Sequence, residues 1–495
     1  MSETTTIPAA PDSAAAIEEK RIGARNTLAI TILLVSTFVV ILNETIMSVA
    51  LPHLMSDLDI TASAAQWLTT AFLLTMAVVI PVTGFLLQRF TTRGIFIAAM
   101  SLFSAGTLVA AIAPGFEVLL VARVVQAMGT AIMIPLLFTT VLTLVPEHTR
   151  GRIIGNVSIV ISVAPAVGPT ISGLILHSLD WRWMFIIVLP IALVALVLGA
   201  IRIPNVSEPR KTPLDMLSVV LAAFGFGGIV FGLSNIGTAV GGITAVQAWV
   251  PLAVGLVSVT LFILRQLSLQ KKDIALLDLR TFTTKSFSLA IGMVAISMIA
   301  LFGTLILLPL YTQDVLGLDT LTTGLLLLPG GLVMGLLAPV VGRLYDRNGP
   351  TVLVVAGSII VSAALWGMTM LGQGTAIWWV LAAHVGLSIG LALLFTPLFT
   401  WGLAGLAPKM YSHGSAILST IQQLAGASGI AIFITVLSSR AATLVADGAP
   451  AAEATASGIQ SAFVYGAVIS LVAIPIAFFI RKLPASSTPA GPAGH

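Results

Sequence analysis

The chain has 495 residues; 57% are apolar, only 8% are Asp, Glu, Lys or Arg, and the formal net charge is +4. Soluble domains carry about a quarter charged residues, so this composition excludes a soluble protein. The absence of cysteine removes disulfide frameworks, thiolate metal sites and thiol catalysis together.

Residues 1–26 are polar and read as a tail on the cytoplasmic side, with Lys20, Arg21 and Arg25 close to the first apolar run. That run is about 25 residues long, too long for a signal-peptide core, and lacks a small-residue cleavage site, so it is expected to stay in the membrane. Crossing about 30 Å of hydrocarbon takes roughly 20 apolar residues. Spans are therefore predicted near 27–51, 65–87, 94–113, 118–145, 153–177 and 184–202, then near 214–235 and 249–264. Six more follow near 286–309, 323–342, 351–371, 377–406, 415–437 and 461–480. Backbone polar groups cannot stay unpaired in lipid, and these runs lack the alternation of a barrel, so all fourteen are expected to be helices.

The basic residues orient this set. Of the 23 Lys and Arg residues, Arg123 falls inside a span and Arg182 and Arg440 fall on one side; the rest fall on the other. That asymmetry is the positive-inside signature and places both termini in the cytoplasm. It also accounts for the basic pI of 9.6 without nucleic acid.

A repeat organises the chain. Gly84-Phe-Leu-Leu-Gln88-Arg89, followed by Arg93, comes after span two; Gly342-Arg-Leu-Tyr-Asp346-Arg347, followed by Gly349, comes after span ten. Two six-helix halves would repeat this loop after six spans, so two helices have been inserted between them. The expected units are a bundle over 27–202, a linker with two additional helices over 203–264, and a cytoplasmic loop over 265–285. A second bundle over 286–480 and a disordered, Pro/Ala/Ser/Gly-rich tail over 481–495 complete the chain. Parallel repeats of this kind place a substrate site between the halves near the midplane.

Two charged residues stand inside spans. Glu44 lies eight residues before Pro52, so roughly 12 Å below that helix end. A charge at a span centre costs about 2.5–3.5 kcal/mol on insertion scales, and such residues usually mark an ion path. Glu44 thus reads as a proton carrier; the alternative is a neutral, hydrogen-bonded acid or one that reaches water. Arg123 must be paired or reach an aqueous cavity, and Gln126, three positions on, shares its face. Its alternative role is to lock helices together through carbonyls. Thr45, Trp67, Met76, Gln126 and Met128 are candidates to line a pliable apolar pocket, although Met and aromatic residues in membrane helices also serve packing and lipid contact. His384 reads as a satisfied buried histidine.

These features together resemble the major facilitator superfamily, and within it the drug:proton antiporters with fourteen spans. Leu-Leu-Val-Ala-Arg123-Val-Val-Gln126-Ala-Met-Gly129 is similar to the family's buried-arginine motif. Ala-Pro165-Ala-Val-Gly168-Pro169-Thr-Ile-Ser-Gly173 is similar to its antiporter motif. Leu42-Asn43-Glu44-Thr45-Ile46, running on to Pro52, most resembles the branch named for lincomycin resistance. The resemblance implies a proton-coupling set of Glu44, Arg123 and Asn43, with Asn43 standing where the family pattern has an aspartate. It implies a gate at Gly84, Gln88, Arg89, Arg93, Gly342, Asp346, Arg347 and Gly349, in which acid and arginines latch neighbouring helices and Gly342 and Gly349 allow tight turns. The kinked helix at Pro165, Gly168, Pro169 and Gly173 would let the halves approach closely.

The expected function is therefore proton-coupled export of amphipathic or cationic toxic compounds, lincosamides included, across a bacterial cell membrane. The alternative is export of an endogenous lipid, fatty acid or metabolite. A membrane-embedded enzyme predicts clustered acids or histidines, which the sequence lacks. Without a phosphate-binding Gly-x-x-x-x-Gly-Lys-(Ser/Thr) loop, energy is expected from the proton-motive force, with no cofactor or metal. The expected partners are a small-molecule substrate, protons and the bilayer, with the monomer as the working unit.

Overall fold

The computed structural model describes residues 13–206, 209, 213–236 and 245–482. The expected tail segments 1–12 and 483–495 lie outside the described residues.

The first bundle consists of α1 (Ser13–Asp57), α2 (Ala62–Arg89), α3 (Thr92–Ala111), α4 (Phe116–Leu144), α5 (Arg150–Ser178) and α6 (Trp183–Arg202). The inserted pair is α7 (Met216–Ile236) and α8 (Ala245–Leu269). The second bundle is α9 (Lys285–Leu310), α10 (Thr320–Asn348), α11 (Thr351–Met368), α12 (Ile377–Ala404), α13 (Tyr411–Ala446) and α14 (Ala451–Ala477). Among the described residues there is no strand. Thirteen helices are long and apolar enough to cross a membrane, and α5 makes fourteen if its two segments, bent by 41° between Pro165 and Thr170, count as one span.

Helix ends differ from expectation where alanine carries the helix past the apolar run, as its high propensity allows. The stretch 438–460 between the last two predicted spans is mostly helix: α13 runs on to Ala446 and α14 begins at Ala451. The turn between them includes Gly448 at φ +89°, a left-handed conformation that suits glycine. Within the first bundle α3 lies against α4 and α6, and α1 against α5, α6 and α4. Glycine sets the α3–α4 spacing: a Cβ on Gly129 would fall 2.4 Å from the Ala99 carbonyl oxygen, and one on Gly106 2.7 Å from that of Ala122.

Contacts between the bundles join α5 to α10 and α12, α2 to α13, and α4 to α13. The inserted helix α7 packs on α2 and α13 at once, so it straddles the seam between bundles.

Candidate functional site

The polar centre of the first bundle is built on Arg123, whose residue is 0% exposed. Its Nη1 donates to Asn43 Oδ1 at 3.2 Å and to Gln126 Oε1 at 3.1 Å. Gln126 Nε2 donates to Thr107 Oγ1 at 2.9 Å, and that hydroxyl donates to the Phe103 carbonyl at 2.7 Å. The guanidinium carbon lies 4.1 Å from the centre of the Phe72 ring, a cation–π contact. α1, α2, α3 and α4 thus converge on one buried cation held by neutral partners. Among the described residues no ion pair joins Arg123 to Glu44, although the two interact electrostatically.

Asn43 is therefore the α1 residue that faces Arg123. Glu44 is rotated by about 100° from it. That rotation puts Glu44 on the side of α1 that carries buried Thr37 and Val40, opposite the exposed stripe of Leu28, Thr31 and Val35. Glu44 keeps partial exposure there. Thr45, one step further round, donates to the Leu42 carbonyl at 3.0 Å and reaches the Ala164 carbonyl of α5 at 3.4 Å. A Cβ on Gly168 would sit 2.2 Å from Thr45 Oγ1, so only glycine permits this α1–α5 contact. The bend in α5 falls at the same level. Pro165 is partly buried there; the side chain of Pro169 lies outside the described residues. Gly173 does not share the role given to Gly168: nothing lies within 4 Å of where its Cβ would be.

The residues grouped as an apolar pocket do not come together. Met76 is buried with Phe72, Ile80, Ala127 and Ala131 between α2 and α4. Trp67 meets Phe231 of α7 at a tilt of 33°, ring centres 5.7 Å apart. Met128 sits on the exposed stripe of α4 with Val118 and Val121, the side opposite Arg123. Gln126 and Thr45 belong to the polar centre and the α1–α5 contact instead.

The gate residues lie at the end of the molecule where α2 meets α3 and α10 meets α11, and there the bundles are in contact. Asp346 is its anchor. Its Oδ1 accepts from the Gly151 N–H at 2.8 Å and its Oδ2 from the Arg152 N–H at 2.9 Å, so α10 supplies an anion to the N-terminus of α5. The amide donors and the helix dipole both favour negative charge at that place. In the first copy of the repeat Gln88 supplies a neutral counterpart, its Nε2 donating to Ser412 Oγ at the start of α13 at 2.9 Å.

The arginines do less than expected. Arg347 is exposed, and Arg343 turns back to its own helix at the Pro339 carbonyl. Arg93 Nε donates to the Ile203 carbonyl at the end of α6 at 2.8 Å, a C-terminal cap inside the first bundle. Arg89 lines an apolar cavity of about 400 Å³ with Leu86, Phe90 and Ile95. Among the glycines, Gly349 makes the expected turn, at φ +79°. Gly342 instead lies within α10, where a Cβ would be 2.3 Å from the Gly151 carbonyl oxygen, and Gly84 lies within α2 facing Ala416.

Sequence reading missed the rest of the seal. Thr139 and Ser415 hydroxyls lie 2.7 Å apart, and Thr396 donates to Ser158 at 2.9 Å. Phe138 meets Phe399 edge to face, and Arg150 of α5 lies over the Tyr411 ring of α13 at 5.7 Å. One signal could have found it: Gly151 and Gly155 are four residues apart, the small-xxx-small spacing of close membrane packing. A Cβ on Gly155 would lie 2.6 Å from the Ala338 carbonyl oxygen of α10.

Two bundles joined at one end, with a buried Arg–Asn–Gln centre in the first, match the comparisons with known proteins. The family model described as Major Facilitator Superfamily matches residues 33–430. The chain belongs to the Major Facilitator Superfamily. Lincomycin resistance protein LmrB of Listeria monocytogenes is 42% identical over 454 residues, which cover 91% of this chain and 95% of that one. The MFS-type transporter YcnB of Bacillus subtilis is 41% identical over 461 residues, covering 93% and 96%. The structure of the human organic anion transporter MFSD10 aligns with a TM-score of 0.64 at 14% identity, over 91% of this chain and 99% of that chain, and so confirms the fold. The protein is a multi-pass membrane transporter of this superfamily, within its LmrB-like branch.

Proposed function

We propose that this transporter is a proton-coupled multidrug exporter of a bacterial plasma membrane, working by alternating access as a monomer and without a cofactor. The observation that carries the reading is the division of labour around α1. The titratable acid Glu44 is turned into the first bundle beside a buried cation, while the exposed stripe of the same helix is apolar at Leu28 and Val35 with Thr31 between them. A site inside one bundle has room for a proton, and it leaves the cleft between bundles to an amphipathic substrate. The names of the relatives, two of them lincomycin resistance proteins from Listeria, support drug efflux with lincosamides among the substrates.

The basic loops, under the positive-inside rule, support a cytoplasmic position for the sealed end and so an outward-facing conformation. α5 links the two events. It touches α1 at Thr45–Gly168, bends there, and carries at its N-terminus the Gly151–Asp346 contact that closes the cytoplasmic end. Protonation of Glu44 from outside removes a negative charge beside Arg123. The resulting shift of α1 against α5 is passed to the seal, which opens inward, releases the proton and admits substrate.

One charge moving through 100 mV is worth about 2.3 kcal/mol, enough for roughly a forty-fold gradient per net charge. The test is efflux of a lincosamide and of a cationic dye from an exporter-deficient host under an imposed pH gradient. Wild type is expected to export against the gradient and Glu44→Gln to lose that ability. Drug panels that fail, with altered lipid or metabolite release on deletion, would redirect the substrate assignment.

A further inference from the structure

The loop after the inserted helices is buried. Ala275, Leu276, Leu277 and Asp278 are all under 9% exposed, although they join two membrane helices at the basic end of the molecule. Burial of such a segment needs its backbone satisfied, and Gln266 does this. Its residue, near the end of α8, is 0% exposed; its Oε1 accepts from the Leu276 N–H at 2.8 Å and the Leu277 N–H at 3.3 Å. Its Nε2 donates to Ser218 Oγ of α7 at 2.7 Å. One amide therefore fixes the loop to both inserted helices, and the Asp215–Arg265 ion pair at 2.9 Å joins those helices at the same level.

The tip of the segment lies on the seam. Leu277 Cδ2 is 3.3 Å from the position a Cβ on Gly84 of α2 would take; around that same point Ala416 Cβ is at 3.3 Å and His413 Nδ1 at 3.5 Å, both from α13. Leu277 thus fills the corner where the two bundles meet. Behind it, α7 packs on α2 and α13 together.

We propose that Ala275–Asp278 is a wedge that holds the basic end of the cleft shut, with Leu277 as the part that fills the seam and Gln266 as the residue that positions it. The proposal rests on the alternating-access reading, because it gives the inserted helices a role in that cycle. When α2 and α13 part at this end, Leu277 loses a wall of its pocket, so the closed state alone gains from its burial. Removing the wedge shifts the balance toward opening at the basic end.

The native chain contains no cysteine, so spin labels can be placed at Thr143→Cys and Lys409→Cys without background. Both positions are exposed, Thr143 near the end of α4 and Lys409 just before α13. Pulsed electron–electron distances are measured on the full chain in lipid nanodiscs, in the otherwise native protein and with Leu277→Ala or Gln266→Leu added. The expected result is one dominant short distance in the native background and, in both variants, a rise of the long-distance population by roughly ten-fold. If Leu277→Ala does not fold, Leu277→Val is read for a smaller shift in the same direction. Unchanged distances in a folded Leu277 variant overturn the wedge, and a shift there without one in Gln266→Leu overturns the positioning role. The readout is shape and not transport. Loss of proton coupling in Glu44→Gln would therefore leave it intact, and unchanged distances with normal export would reject the wedge alone.

Discussion

At the scale of single residues, the centre of the account is a buried guanidinium whose direct oxygen partners come from the side-chain amides of Asn43 and Gln126. A neutral amide satisfies a donor without cancelling its charge, so the cation stays responsive to any acid nearby. Glu44 is such an acid, one helical step from Asn43. Asn43→Leu takes away an acceptor where water cannot replace it and is expected to lower stability by about 1–3 kcal/mol. Thermal unfolding in detergent checks this; an unchanged midpoint would mean that Arg123 finds another acceptor and that Asn43 is dispensable. The Arg123–Gln126 pairing was legible in the sequence, because positions three apart on a helix share a face. The choice between Asn43 and Glu44 was not legible. Rotation of α1 is set by its packing on α5, through Thr45 and Gly168, and no local pattern encodes it. The position of Met128 was legible too: five residues from Arg123, it points about 140° away.

At the scale of elements, the acid of the repeated loop was readable but its partner was not. Asp346 stands out in a repeated loop, yet it binds backbone N–H groups of α5, and backbone groups leave no mark in sequence. The expected arginine latches gave way to a charge–helix contact supported by hydroxyl pairs. Asp346→Asn keeps the size but removes the charge and one of the two acceptors, at an expected cost to the closed seam of about 0.5–1 kcal/mol. A cysteine at Ser158, buried in that seam, should then label roughly two- to five-fold faster with a thiol reagent. An unchanged rate would assign the seal to packing alone.

The inserted pair supplies a pH-dependent test at the same scale. Asp215, just before α7, is held down at about 2, first by its hydrogen bonds from Arg265 and then by those from Ser218, against the opposing effect of burial. A carboxylate whose folded value is depressed contributes stability above its ordinary range, and that contribution fades as pH falls toward the folded value. Asp215→Asn should therefore lower the unfolding midpoint by a constant amount above about pH 5, with the difference shrinking below about pH 4. A difference independent of pH would remove the ion pair as its cause.

At the scale of the whole molecule, the fourteen helices followed from one rule, the length of apolar chain needed to cross hydrocarbon, and the two-bundle plan from the repeated loop. The repeat at Gly84 and Gly342 located the insertion. What that rule could not supply was where helices end beyond the membrane, as at Ala446 and Ala451, and how α7 sits across the seam. The overall shape pairs a closed basic end with a polar centre in the first bundle, and α5 touches both the closed end and, at Thr45, the helix that carries Asn43. Under the proposed coupling, a proton bound inside one bundle would control a seal between bundles through α5. The most direct measurement is uphill substrate transport in proteoliposomes driven by an imposed pH gradient, comparing wild type with Glu44→Gln. The account predicts accumulation by wild type, and in the variant retained substrate binding with no gradient-driven accumulation. Full uphill transport by Glu44→Gln would contradict it.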